Sequence, residues 1–144
     1  MSRTHTRLVP GHLEVSPRAL VLLVGDVLVL LAFISVGLLS HSIEPWRLPD
    51  HTLRTLTPFL LAWLVVAPLV GLYGRRTLTS YRTTASRVMA GWLLASLLGG
   101  AIRSTAHFPG GAPLDFLLIN IAFGLLFFLP WRLLAAGVTR RSVG

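Results

Sequence analysis

The sequence predicts an all-α fold, an integral membrane four-helix bundle with both termini cytoplasmic, and three observations carry that reading. Hydrophobic residues make up 53% of the chain and charged ones only 12%, whereas ordinary soluble domains carry about 25% charged residues. The apolar residues gather in four runs, close to the roughly 20 residues that a helix needs to cross a bilayer. The charges that remain are mostly arginines, and they sit at the ends of those runs.

The first span, residues 19–40, is broken only by Gly25, Asp26 and small residues. It outruns the h-region of about 7–15 residues in a signal peptide, and the nearest small-x-small site is Ser40-His41-Ser42, so it reads as a retained helix. The second, residues 57–73 with a start reaching back toward Leu53, has Pro58 suited to a first helical turn and Pro68 placed to kink the interior. The third, residues 85–102, repeats Gly91, Ala95 and Gly99 at every fourth position, which lets another backbone approach closely. The fourth, residues 114–138, is the most apolar, with Pro130 toward its end. Residues 108–113, FPGGAP, form a tight turn before it. Residues 1–18 and 139–144 remain as tails. Trp46 and Trp131 fall near span ends, where an aromatic belt belongs.

Arginine placement sets the orientation. An even number of spans puts Arg3, Arg7 and Arg18, the loop arginines Arg75, Arg76, Arg82 and Arg87, and Arg132, Arg140 and Arg141 on one side. Only Arg47, Arg54 and Arg103 lie on the other, among Glu44, Asp50 and Asp115. The positive-inside rule then makes both termini cytoplasmic. The 75–87 loop contains no acid and would rest on anionic headgroups of the lipid bilayer, at roughly 1 kcal/mol per charge.

Several function classes lose support. The net charge of +8 comes from arginines flanking apolar spans, not from a basic stripe with stacking aromatics, so no nucleic acid is expected as a partner. With no cysteine there is no disulfide, thiolate metal site or lipidated thiol. His41, His51, His107, Glu44, Asp50 and Asp115 share one face without ligand spacing, so no metal and no cofactor is expected. No hydrolase, metalloprotease or phosphate-loop motif occurs, which leaves an enzyme unsupported. The two halves share no pattern of proline, acid or tryptophan, so an inverted repeat is not expected.

The informative residues are those that are expensive in lipid. Asp26 is the ionisable group well inside a span; charged and unpaired it would cost about 2.5–3.5 kcal/mol. It predicts an inward stripe of Asp26, Val29, Phe33, Gly37 and His41. Arg132 is its best partner, reaching inward on a flexible stem that would turn back to water if the acid were removed; the Trp92 indole is the alternative donor. The acid either ties helices together or carries a proton or cation. Asn120, the only carboxamide, reads as an interhelical hydrogen-bonding group. Arg103 follows Trp92, Ser96 and Gly99 on one face and is placed to close the far mouth of the bundle against Asp115. Trp63 and Trp92 are deep enough to line a ligand pocket.

Gly25-Asp26, Phe33, Gly37, His41, Pro58-Phe59, Trp63, Arg103 and Trp131-Arg132, in that order, resemble the domain of unknown function 3054 family of small prokaryotic membrane proteins. The resemblance runs from about Arg18 to Arg132 and implies four spans in a prokaryotic cytoplasmic membrane, with no assigned activity. Two functional readings follow. One is binding or transport of a small ligand, ion or lipid between Asp26, Trp63, Trp92 and Arg103, alone or as a homo-oligomer. The other is a non-catalytic accessory or assembly subunit that packs on a larger membrane complex through Gly91, Ala95 and Gly99.

Overall fold

A computed structural model describes residues 16–108 and 110–144; the tail with Arg3 and Arg7, and Pro109 of the 108–113 turn, lie outside the described residues. Five helices and no strand occur among them: α1 (Pro17–Ser40), α2 (Pro49–Leu69), α3 (Arg75–Thr79), α4 (Tyr81–Arg103) and α5 (Leu114–Val143). All but α3 are long and apolar enough to cross a membrane.

Each helix end has a local cause. Ser16 caps α1, its Oγ accepting from the Ala19 N–H at 3.2 Å, and Pro17 suits the first turn, where its missing N–H is not needed. α1 stops where Ser42 takes φ 61°, with Ile43 N–H reaching back to Leu38 O and Ser42 N–H to Leu39 O. α2 ends in the same way, through Gly71 at φ 73°, Leu72 N–H on Ala67 O and Gly71 N–H on Pro68 O. This second reversal turns Leu72 and Tyr73 back toward the bundle.

Two assignments need correction. α2 runs from Pro49 to Leu69, starting before both residue 57 and the reach back toward Leu53 and ending before residue 73, so Pro49 takes the first-turn position and Pro58 lies buried in the helix interior. Pro68 is next to the last residue, too late to kink anything. The short α3 was not foreseen, because five residues carry no hydrophobic period.

The long helices alternate in direction. α1 and α4 each pack on α2 and on α5, so the four stand at the corners of a square, with α1 diagonal to α4 and α2 to α5. The closest pairs are α2 with α4 and α4 with α5. Phe59 explains part of this: a Cβ on Gly99 would come within 2.5 Å of its ring. Gly91 and Ala95 are also buried, Gly91 against Val70 and Leu72. The small-residue face is therefore filled from inside the chain by α2 and the turn after it, and is not open to another subunit. Aromatic rings bridge the diagonals, Phe33 edge-on to Trp92 at 5.7 Å and Trp63 against Phe128 at 4.5 Å.

The polarity of this bundle is inverted. Asp26, Arg132, Asn120, Ser96, Thr52 and Thr55 are buried, while leucines and valines stand exposed along the outward faces of all four long helices. Such a continuous apolar exterior is far larger than water-soluble monomers expose.

Candidate functional site

Asp26 is the centre of a closed polar knot at the end of the bundle where α1 begins and α5 ends. Its Oδ1 accepts from Trp131 Nε1 at 3.0 Å and Arg132 Nε at 2.8 Å. Its Oδ2 accepts from Trp63 Nε1 at 3.0 Å, from the Tyr73 hydroxyl at 2.8 Å and from Arg132 Nη2. Every neighbour is a donor, so the carboxylate serves as an acceptor only. Arg132 is 2% exposed and gives its Nη1 to Leu72 O at 3.1 Å, while its guanidinium lies 4.9 Å above the Tyr73 ring. Burial first, and then the Asp26 carboxylate, push the Tyr73 phenol upward, so in the turn beyond α2 it remains a donor.

All the long helices except α4 contribute to this knot, and backbone geometry positions each group. Gly71 sends the chain back so that Tyr73 and the Leu72 carbonyl point inward; Arg87 Nη1 holds the same turn through Gly71 O at 2.7 Å and Thr77 Oγ1 at 2.6 Å. Gly25, one residue before the acid, leaves room for the Trp131 ring: an added Cβ would overlap it. Saturated in this way, the fully buried acid makes all of these hydrogen bonds within the protein. A buried ion pair with its remaining lone pairs satisfied is a tie between helices, and losing one partner would cost about 3–5 kcal/mol.

A second polar layer lies nearer the middle. Trp92 Nε1 donates to Asn120 O at 3.2 Å, and Asn120 Nδ2 donates to Ser96 Oγ at 3.1 Å. Gly124 permits this, since a Cβ there would collide with the Trp92 indole. Trp92, proposed above as an alternative donor to Asp26, thus serves α5 instead.

The opposite end is open. α1 and α5, pinned together at Asp26, leave a cleft of about 470 Å³ between them. Phe33, Ile34, Gly37, Phe116, Ile119 and Phe123 supply its apolar wall; His41, His51, Arg103 and Asp115 carry its polar groups, with Asn120 among the lining. Val36, Ile119 and Phe123 are lining residues that are also exposed, so the cleft opens sideways between the two helices. Its volume falls within the range of about 300–1,000 Å³ usual for ligand pockets. Gly37 keeps it wide, with nothing within 4 Å of an added Cβ.

The residues singled out from the sequence thus divide between two places. Asp26, Trp63 and Arg132 meet in the knot, and His41, Arg103 and Asn120 meet at the cleft. Trp63 and Trp92 are fully buried and do not line the cleft; Phe128 packs against both, at 4.5 Å and 4.9 Å. A ligand space running from Asp26 to Arg103 is therefore closed by aromatic packing. Arg103 makes no ion pair with Asp115 among the described residues; its Nε gives a hydrogen bond to Gly111 O at 3.0 Å, and its guanidinium lies 5.1 Å over Phe116. Trp131, read above as an interfacial tryptophan, is half-buried and turns its N–H inward to Asp26. Of the inward stripe, Phe33 is buried, whereas Gly37 and His41 face the cleft. Tyr73, Ser96 and the spacer glycines Gly25 and Gly124 were not read as site residues. The adjacency of Gly25 to Asp26, and of Trp131 to Arg132, was the signal available.

Among the described residues no three His, Cys, Asp or Glu side chains gather as a metal ion would need. Neither a curated protein nor a solved structure matches the chain. The knot and the cleft both fall inside residues 23–135, which match the family model described as protein of unknown function (DUF3054), and the chain belongs to that family.

Proposed function

We propose that the protein spans a prokaryotic cytoplasmic membrane four times, with both termini and the 75–87 loop in the cytoplasm, and that it binds one chain of an amphipathic membrane molecule in the cleft between α1 and α5. The lateral opening of that cleft carries the reading: its rim of exposed Val36, Ile119 and Phe123 would face hydrocarbon, so a ligand could enter from the bilayer without crossing water. The inverted polarity of the bundle supports insertion, and the arginine distribution supports the orientation. At the cytoplasmic surface Arg75, Arg76 and Arg82 are exposed toward anionic headgroups, while Arg87 is used inside the protein. An accessory role through the small-residue face is disfavoured because α2 already covers that face.

Two measurements test this. A cysteine at exposed Ser142 should resist an impermeant thiol reagent in intact cells while one at exposed Ser42 reacts; labelling in the opposite sense would reverse the orientation. A Cβ on Gly37 meets nothing within 4 Å, and Gly37→Leu sends its side chain into the cleft; it should fold at normal yield while retaining several-fold less copurified lipid. Equal lipid retention by the wild type and Gly37→Leu would remove the cleft as the binding place.

A further inference from the structure

The mouth of the cleft carries two opposite charges that do not neutralise each other. Arg103 donates to Gly111 O, lies over the Phe116 face and passes close to Gly110, where a Cβ would lie 2.8 Å from both the guanidinium carbon and Nη2. Those contacts occupy its Nε and its faces; among the described residues its two Nη groups have no hydrogen-bond partner. Asp115 stands in the first turn of α5, next to the phenylalanine that carries Arg103, and lines the same cleft with no cation within ion-pair distance among the described residues. The wall beyond them is largely apolar, and of the Asn120 carboxamide that also lines it one N–H is given to Ser96. A simple anion would satisfy Arg103 and repel Asp115. A neutral lipid would leave the half-buried Arg103 guanidinium without a partner and give the exposed Asp115 carboxylate none.

Resting on the lipid-cleft reading above, we infer that the occupant is a zwitterionic phospholipid with a primary ammonium headgroup of the phosphatidylethanolamine kind. Its phosphate meets the free edge of Arg103, its ammonium meets the Asp115 carboxylate, and one acyl chain runs inward past Gly37 and Phe33. A guanidinium edge matches phosphate oxygens in a bidentate fork. A primary ammonium brings three N–H donors to a carboxylate, whereas the quaternary ammonium of a choline head brings charge but no donor. In the proposed orientation the headgroup belongs to the leaflet away from the termini.

The test uses the full-length protein equilibrated in mixed micelles with equal amounts of phosphatidylethanolamine, phosphatidylglycerol, phosphatidylcholine and diacylglycerol bearing the same acyl chains, with retained lipid read by native mass spectrometry. The wild type should enrich phosphatidylethanolamine over each of the others by about tenfold, the ratio that one charge-assisted hydrogen bond supports. Asp115→Asn should keep phospholipid but lose the preference over phosphatidylcholine. Arg103→Gln should lose phospholipid relative to diacylglycerol, and Gly37→Leu should lose all four. Enrichment of phosphatidylglycerol would overturn the zwitterion in favour of a plain anion. Equal retention of all four lipids, abolished by Gly37→Leu, would overturn headgroup recognition while leaving the cleft reading intact. Retention unaffected by Gly37→Leu would remove both.

Discussion

Asp26→Asn is expected to be among the most damaging single substitutions in this protein, lowering stability by about 3–5 kcal/mol. The change keeps the shape but turns one acceptor oxygen into an NH2 group facing donors. Trp63 and Tyr73 lie on one side and Trp131 and the Arg132 Nε on the other, so either amide orientation sets donor against donor. It also strands a cation. The sequence suggested that Arg132 would relieve this by swinging to water, but its side chain is 1% exposed and tethered to Leu72 O, so no such escape is open. Arg132→Leu should cost less, about 3 kcal/mol, because Asp26 would keep three neutral donors. The double variant should then lose less than the sum of the two, with a coupling of at least about 1 kcal/mol in denaturation of the purified protein in detergent. Strictly additive losses would mean that the knot does not hold the helices together.

The second large effect is expected at two glycines. Helix propensity alone says that Gly→Ala inside a helix stabilises by up to about 1 kcal/mol. Gly25→Ala and Gly124→Ala should do the reverse, losing about 1–3 kcal/mol each, since the new methyl would occupy the volume of the Trp131 or Trp92 ring. Indoles are stiff, and displacing either also takes its N–H from Asp26 or from Asn120 O. Gly37→Ala is the internal control: it meets open space and should be neutral or stabilising. Melting temperatures of the three variants in one detergent decide the matter. If all three shift alike, the close approach of the tryptophans to the helix backbones is not what these glycines provide.

The two predictions also show where sequence reading reached and where it stopped. By itself the sequence determined the class of protein: four long helices, their order and approximate spans, the residues that are expensive to bury, and the pairing of Asp26 with Arg132 as its best candidate. Those properties follow from composition, from runs near the length of a bilayer crossing, and from the cost of an ionisable group in lipid, all of which act locally or on one helix at a time. The family resemblance pointed to the same positions.

Only the tertiary structure decided how those residues are shared out. Three further side chains join Arg132 on Asp26, and Tyr73 is brought there by a reversal at Gly71 that depends on one backbone angle. Trp92 faces Asn120 and not Asp26, because Gly124 on a neighbouring helix opens the space it needs. Arg103 lies on Phe116 and forms no ion pair with Asp115 among the described residues. Helical periodicity places a residue on a face but not at a rotation or depth relative to another helix. Those are set when four helices pack together, by contacts between positions as far apart in sequence as 26 and 132.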